Sequence, residues 1–196
     1  MKHFGLFIIL FCVSYLDACK DIKLFNQSQI EVIAYAYHYG KDHNLGYTMA
    51  AIAWKESCAG LYRINFDDPS AGIYHAYLPG VIKRHYKAKN TSFRRNIVAE
   101  RLIRDQEFAS KIALEELLYW RQIRRNNWKE MIKSYNKGFS WEKSKGRDKL
   151  AEAYYEDIAQ KVKVLEKYFA QNPILQYKPK SFSKQNTLKE VKLLNE

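Results

Sequence analysis

The chain has 196 residues, 33 Lys and Arg against 21 Asp and Glu, and a formal net charge of +12. Its 47% hydrophobic and 15% aromatic content excludes a disordered chain, and 8 Gly with 4 Pro are too few for a turn-rich β-barrel or β-sandwich. The length suits one domain with its own core. The positive excess points to a polyanion or an anionic surface, and composition alone admits nucleic acid, membrane and cell wall.

Met1-Lys2-His3 is a short basic start, and the 13 residues from Phe4 to Leu16 are almost wholly apolar. A helix needs about 20 residues to cross a bilayer, so this stretch fits the apolar region of a secretory signal peptide over residues 1–18. The expectation is an exported, periplasmic protein. Leu16-Asp17-Ala18-Cys19 resembles a bacterial lipobox, with Asp17 the unusual member. Two fates follow for Cys19. It carries a lipid that attaches the protein to a membrane, or it pairs with Cys58 in an oxidising compartment. Cys12 leaves with the leader. The chain has no CxxC pair and no Cys/His cluster, so no structural zinc, no other metal and no cofactor are expected.

The rest reads as helices. Apolar residues at Ile30, Ile33, Ala34 and Tyr37 have helical spacing over Gln29–Tyr39, with Ser28 as the expected N-cap and Gly40 as the stop. Tyr47–Ser57 is apolar on nearly every side, the mark of a buried helix. Residues 61–80 hold Asn65, Asp67, Asp68, Pro69, Ser70, Gly72, Pro79 and Gly80 and read as a loop. A weak helix is expected at 80–88. Amphipathic helices follow at Phe93–Leu102, Gln106–Arg124 and Trp128–Asn136. After a loop at 137–145, a long helix over 147–170 carries the stripe Leu150, Tyr154, Ile158, Val162, Leu165 and Phe169, with Pro173 beyond its end. From 173 to 196 the apolar pattern fades into a basic, loosely ordered tail. The expected architecture is one all-α domain over residues 22–172.

Glu56 stands at the end of the buried helix. A carboxylate there meets the negative end of the helix dipole and an apolar surround, and both raise its pKa. A carboxyl that keeps its proton near neutral pH is what a general acid needs to protonate a glycosidic oxygen. Three further groups follow it in order: Gly72-Ile73-Tyr74-His75, then Ser134-Tyr135-Asn136-Lys137-Gly138, then Tyr154-Tyr155. Together with Glu56-Ser57, this order resembles the catalytic domain of soluble-type lytic transglycosylases, in the lysozyme-like superfamily. The resemblance spans about residues 30–165. His75 stands where the family usually has Gln, Ser134 where it has Ala, and Cys58-Ala59-Gly60 lengthens the Glu-Ser-x-Gly spacing by one.

The resemblance implies a lysozyme-like helical domain with a substrate cleft and one catalytic residue, Glu56. It implies substrate-binding roles for Ser57, Gly72, Ile73, Tyr74, His75, Tyr135, Asn136 and Tyr155, with the tyrosine at 155 beside the Glu56 carboxyl. It further implies cleavage of the MurNAc-β-1,4-GlcNAc bond of peptidoglycan, with closure of a 1,6-anhydro ring on MurNAc. One carboxyl suffices, because the substrate supplies the nucleophile. Two alternatives stay open. One is hydrolysis of goose-type lysozyme character, with Asp67 or Asp68 as the second carboxylate. The other is a catalytically inactive, glycan-binding member of the fold. The run Arg121, Arg124, Arg125 and Lys129 beside Trp120 and Trp128 is a candidate phosphate patch, but an exported protein rarely meets nucleic acid. The expected partner is therefore the peptidoglycan strand, bound by a monomer.

Overall fold

The computed structural model describes residues 19–173. The expected leader, 1–18, and most of the expected tail, 174–196, lie outside the described residues. Among the described residues, seven α-helices and one small sheet make a mostly helical, all-α class structure. The helices are α1 (Gln27–Gly40), α2 (Gly46–Ser57), α3 (Leu78–His85), α4 (Ser92–Arg104), α5 (Gln106–Ile123), α6 (Trp128–Lys137) and α7 (Lys145–Gln171). Three 3-10 turns, at Ile22–Leu24, Lys41–His43 and Ser140–Lys143, fill the connections. Among the described residues no helix is long and apolar enough to cross a membrane.

Most helices start on a side-chain cap. Asn26, Thr91, Asp105, Asn127 and Ser144 each accept from a backbone N–H in the first turn. For α1 the cap is Asn26 and not Ser28. Asn26 Oδ1 accepts from the Gln29 N–H at 3.0 Å, while Gln29 Oε1 accepts from the Asn26 N–H at 3.1 Å. This reciprocal pair satisfies two helix-end donors at once, and Ser28 offers no such closure.

Helix α2 is the centre of the core. Met49 through Ala53 have no exposed surface. Helix α2 packs against α1 on one side and α7 on the other, while α6 bridges α5 and α7. The stripe on α7 is buried from Ala151 through Tyr154, Ile158, Leu165 and Phe169, but Leu150 is 61% exposed. Ala151 is one turn before Tyr154, and Leu150 lies about 100° round the helix from Ala151, off the buried face.

The segment expected as loop contains a three-stranded antiparallel sheet: β1 (Ile64–Asn65), β2 (Ser70–Ala71) and β3 (Ala76–Tyr77), in the order β1-β2-β3. Two residues per strand leave no alternation to read in a sequence. Gly72 follows β2 with φ +84°, and a Cβ there would sit 2.8 Å from the Leu102 carbonyl oxygen on α4. Only glycine allows the loop to press this closely on α4.

The candidate phosphate patch is largely consumed by the fold. Arg124 donates to Ser134 Oγ at 2.9 Å and to Glu142 Oε1 at 2.6 Å, with its side chain 9% exposed. The Trp120, Phe139 and Trp141 rings surround its guanidinium. Arg121 donates to the His43 carbonyl, and Lys129 pairs with Glu152.

Cys19 and Cys58 form a disulfide that closes a 39-residue separation. Of the two fates expected for Cys19, the structure has the paired one. Replacing both cysteines by serine is expected to lower stability by about 2–4 kcal/mol, from the loop released in the unfolded chain. Chemical denaturation of the double variant, beside the parent with and without reductant, measures this.

Candidate active site

Helix α2 ends in an unusual turn. Cys58, Ala59 and Gly60 all have positive φ, at 52°, 55° and 84°. For the two L-residues this costs roughly 1–2 kcal/mol each. The turn is held in several ways. The Ala59 N–H reaches back to the Ala53 carbonyl at 3.0 Å, and the disulfide fixes Cys58. Ser57 Oγ accepts from the Gly60 N–H at 2.8 Å and lies 2.8 Å from the Ile73 carbonyl oxygen, to which it donates. The additional residue between Glu-Ser and Gly is absorbed in this left-handed run.

Glu56, in the last turn of α2, faces a cleft. Its side chain is 20% exposed. Burial raises its pKa; the Tyr154 hydroxyl, the His75 ring and Lys55 pull it back, and Asp68 adds to the rise. The net direction is upward, so the acid form persists above the ordinary carboxylate range. The Tyr154 hydroxyl donates to Glu56 Oε1 at 2.6 Å. Burial and the Glu56 charge push the Tyr154 pKa well up, so it remains a donor. His75 has φ 44°, and its Nε2 is 2.8 Å from the Tyr62 carbonyl oxygen. A carbonyl only accepts, so Nε2 carries the hydrogen. The Nδ1 edge therefore faces Glu56, 3.7 Å from Oε2.

Tyr135 and Asn136, near the end of α6, line the same cleft. The Tyr135 hydroxyl reaches the Tyr74 carbonyl at 3.4 Å, and burial followed by the Glu56 charge raises its pKa well above the usual value. Glu56, His75, Tyr135 and Asn136 are thus brought together. The other expected residues do different work. Tyr155 is not beside Glu56; it packs edge-on against Trp128 at 5.4 Å, and the adjacent Tyr154 holds the carboxyl. One residue on a helix turns the side chain by about 100°. Tyr154 was identifiable as the inward tyrosine from the stripe it shares with Ile158 and Phe169. Ser57 and Ile73 are fully buried and cannot offer side chains to a ligand, whereas Tyr74, 1% exposed, is part of the cleft wall. Ser57 ties α2 to the 72–75 loop. The Tyr74 hydroxyl pairs with Ser110 Oγ at 3.0 Å. Gly72 supports the loop against Leu102.

The cleft holds about 200 Å3 and opens into a neighbouring depression of about 230 Å3. The two share Val81, Arg84, Ile112 and Glu116. Glu116, absent from the expected site, pairs with Arg84 and accepts from Trp120 Nε1 at 2.7 Å. Its one sequence signal is the i,i+4 spacing from Glu116 to Trp120. Asp68 lines the cleft, whereas the Asp67 N–H closes an Asx turn on Asn65 Oδ1 at 3.0 Å.

No known protein-family model matches the chain, and no solved structure matches it. A protein of Enterobacteria phage T4, described as the uncharacterized 20.7 kDa protein in the vs-regB intergenic region, is 28% identical over 133 residues. That match covers 59% of this chain and 72% of the phage protein.

The raised Glu56 pKa has a stability consequence. The folded chain holds this proton to higher pH than the unfolded chain, so stability falls as pH rises from the ordinary carboxylate range through the raised value. Glu56→Gln has no proton to lose. Its denaturation midpoint is expected to gain on the parent as pH rises through that window, in a series of melts from acid to neutral pH.

Proposed function

We propose that the protein is an exported peptidoglycan lytic transglycosylase with a lysozyme-like domain, acting on the MurNAc-β-1,4-GlcNAc bond through Glu56. The observation that carries this reading is a carboxyl with a raised pKa, set in a cleft between His75, Tyr135 and Asn136 and held on one oxygen by Tyr154. The disulfide is consistent with an oxidising compartment such as the periplasm.

In this mechanism Glu56 gives its proton to the glycosidic oxygen as the bond to the anomeric carbon of MurNAc breaks. The GlcNAc-bearing fragment leaves as a neutral alcohol. Positive charge develops on the anomeric carbon, and the substrate's acetamido oxygen, held by polar groups such as Asn136, stabilises it. The 6-hydroxyl of the same MurNAc then attacks that carbon and returns a proton to the Glu56 carboxylate, closing the 1,6-anhydro ring. The attack is intramolecular and benefits from a high effective molarity. The Tyr154 hydrogen bond strengthens when Glu56 is charged, so it stabilises the carboxylate between the two proton transfers.

Hydrolysis of goose-type character is the second reading, favoured by one observation: Asp68 lines the same cleft and its charge acts on Glu56. Mass spectrometry of digested peptidoglycan separates the two. Anhydro ends are expected; reducing ends alone, lost in Asp68→Asn, overturn the transglycosylase reading. Glu56→Gln is expected to reduce cleavage on the order of 10^2–10^4-fold. A variant that still cuts at the parent rate removes Glu56 from the chemistry.

Tyr154→Phe takes a hydrogen bond from the charged form and raises the Glu56 pKa further. The alkaline limb of the pH–rate profile is therefore expected to move to higher pH, with a lower maximal rate, while Tyr155→Phe leaves that limb in place. Rates of peptidoglycan solubilisation across a pH series measure both variants.

A further inference from the structure

Residues 78–99, which make α3, its connection and the first half of α4, contain Lys83, Arg84, Lys87, Lys89, Arg94 and Arg95 and no Asp or Glu. This one segment supplies +6 of the chain's +12. Within the segment Arg84 is matched by Glu116, and elsewhere many cations are matched as well: Lys55 and Lys161 on Asp157, Lys129 and Lys133 on Glu152, Arg124 on Glu142. Lys83, Lys87 and Lys89 are exposed, and none has a carboxylate partner among the described residues. Arg95 is steadied by Asn90 Oδ1 and Ser92 Oγ, at 3.3 and 3.0 Å. Concentrated like charge of this kind opposes folding through self-repulsion.

The position of the segment gives it a use. Arg84 lines both the Glu56 cleft and the neighbouring depression, so the groove runs from the carboxyl to the basic lobe. Four carboxyls line the groove, Glu56, Asp68, Glu115 and Glu116, against one guanidinium, Arg84, which is already paired with Glu116. A phosphodiester backbone lying in this groove would be repelled. A neutral sugar chain that carries carboxylates to one side fits it, with the sugars on the acidic lining and the carboxylates on the basic lobe.

Resting on the function proposed above, we propose that the α3–α4 lobe is an anion-binding rim for the carboxylates of the peptide side chains on the glycan strand. The preferred substrate is then peptide-bearing peptidoglycan rather than bare glycan. The attraction is that of exposed charges and weakens with salt.

The test uses the Glu56→Gln protein, which does not need to cleave. Co-sedimentation is measured with insoluble peptidoglycan, with the same material stripped of peptides by an amidase, and with anionic phospholipid vesicles. Expected are tighter binding to the peptide-bearing material by about tenfold, loss of that difference at high salt, and the same loss in Lys83→Glu/Lys87→Glu/Lys89→Glu. The Lys→Gln triple variant, checked for a parental melting curve, is expected to lie between. Equal binding to stripped and intact material, or parental binding by the charge-reversed variant, overturns the proposal. So does stronger binding to vesicles than to peptidoglycan, which would make the lobe a membrane contact. Peptide-dependent binding by a parent chain that releases no product would instead remove the transglycosylase reading and leave the rim standing.

Discussion

The structure depends on how α2 is made to stop. A helix buried on all sides must end somewhere, and its last carbonyls need partners. Here the end is a run of three left-handed residues, two of them with side chains. Ser57 and the Cys19–Cys58 bond hold that run in place from inside and outside. The reward is directional. Glu56 leaves the core at the point where the loop carrying His75 and the end of α6 converge. The turn that follows reverses the chain within three residues, so the 72–75 loop can return over the helix end and bring His75 to the carboxyl.

Electrostatics builds on that placement. Glu56 keeps enough burial to favour its proton, yet it has a strong donor in Tyr154 and a polar ring in His75 to receive the charge when the proton leaves. Complete burial without these partners would freeze it neutral; full exposure would leave it ionised and useless as an acid. The neighbours set the balance from three directions, α7, the 72–75 loop and α6. The Asp157 clamp on Lys55 and Lys161 joins α2 to α7 beside this point, so the Tyr154 contact is made between two elements already tied together.

Much of this was legible in the sequence. The helices follow from apolar spacing, and Glu56 stands out because a carboxylate at the end of an apolar helix has a physical cost. His75, Tyr135 and Asn136 reach the cleft as expected. Other features were not legible, for identifiable reasons. Tyr155 and Tyr154 differ by 100° of helix rotation, and a motif matched by order does not resolve that angle. Ile73 and Tyr74 were assigned to the ligand as part of a matched loop motif, but a motif does not show burial, and residues 71–74 are buried in succession before His75 emerges. The sheet was hidden by the shortness of its strands. Ser57 was expected to bind substrate; its complete burial assigns it to the scaffold.

Gln29 joins two helix ends with one amide. Its oxygen closes the first turn of α1, and its nitrogen donates to the Cys58 carbonyl at 2.9 Å in the turn that ends α2. Helix ends ordinarily fray independently, each at its own small free energy of opening. These two share a single buried side chain, 4% exposed. Opening either one strands half of that amide in a place water does not reach. The start of α1 and the end of α2 are therefore expected to open together, although 29 residues of chain separate them. The turn behind the carboxyl is thereby tied to a residue outside the cleft lining.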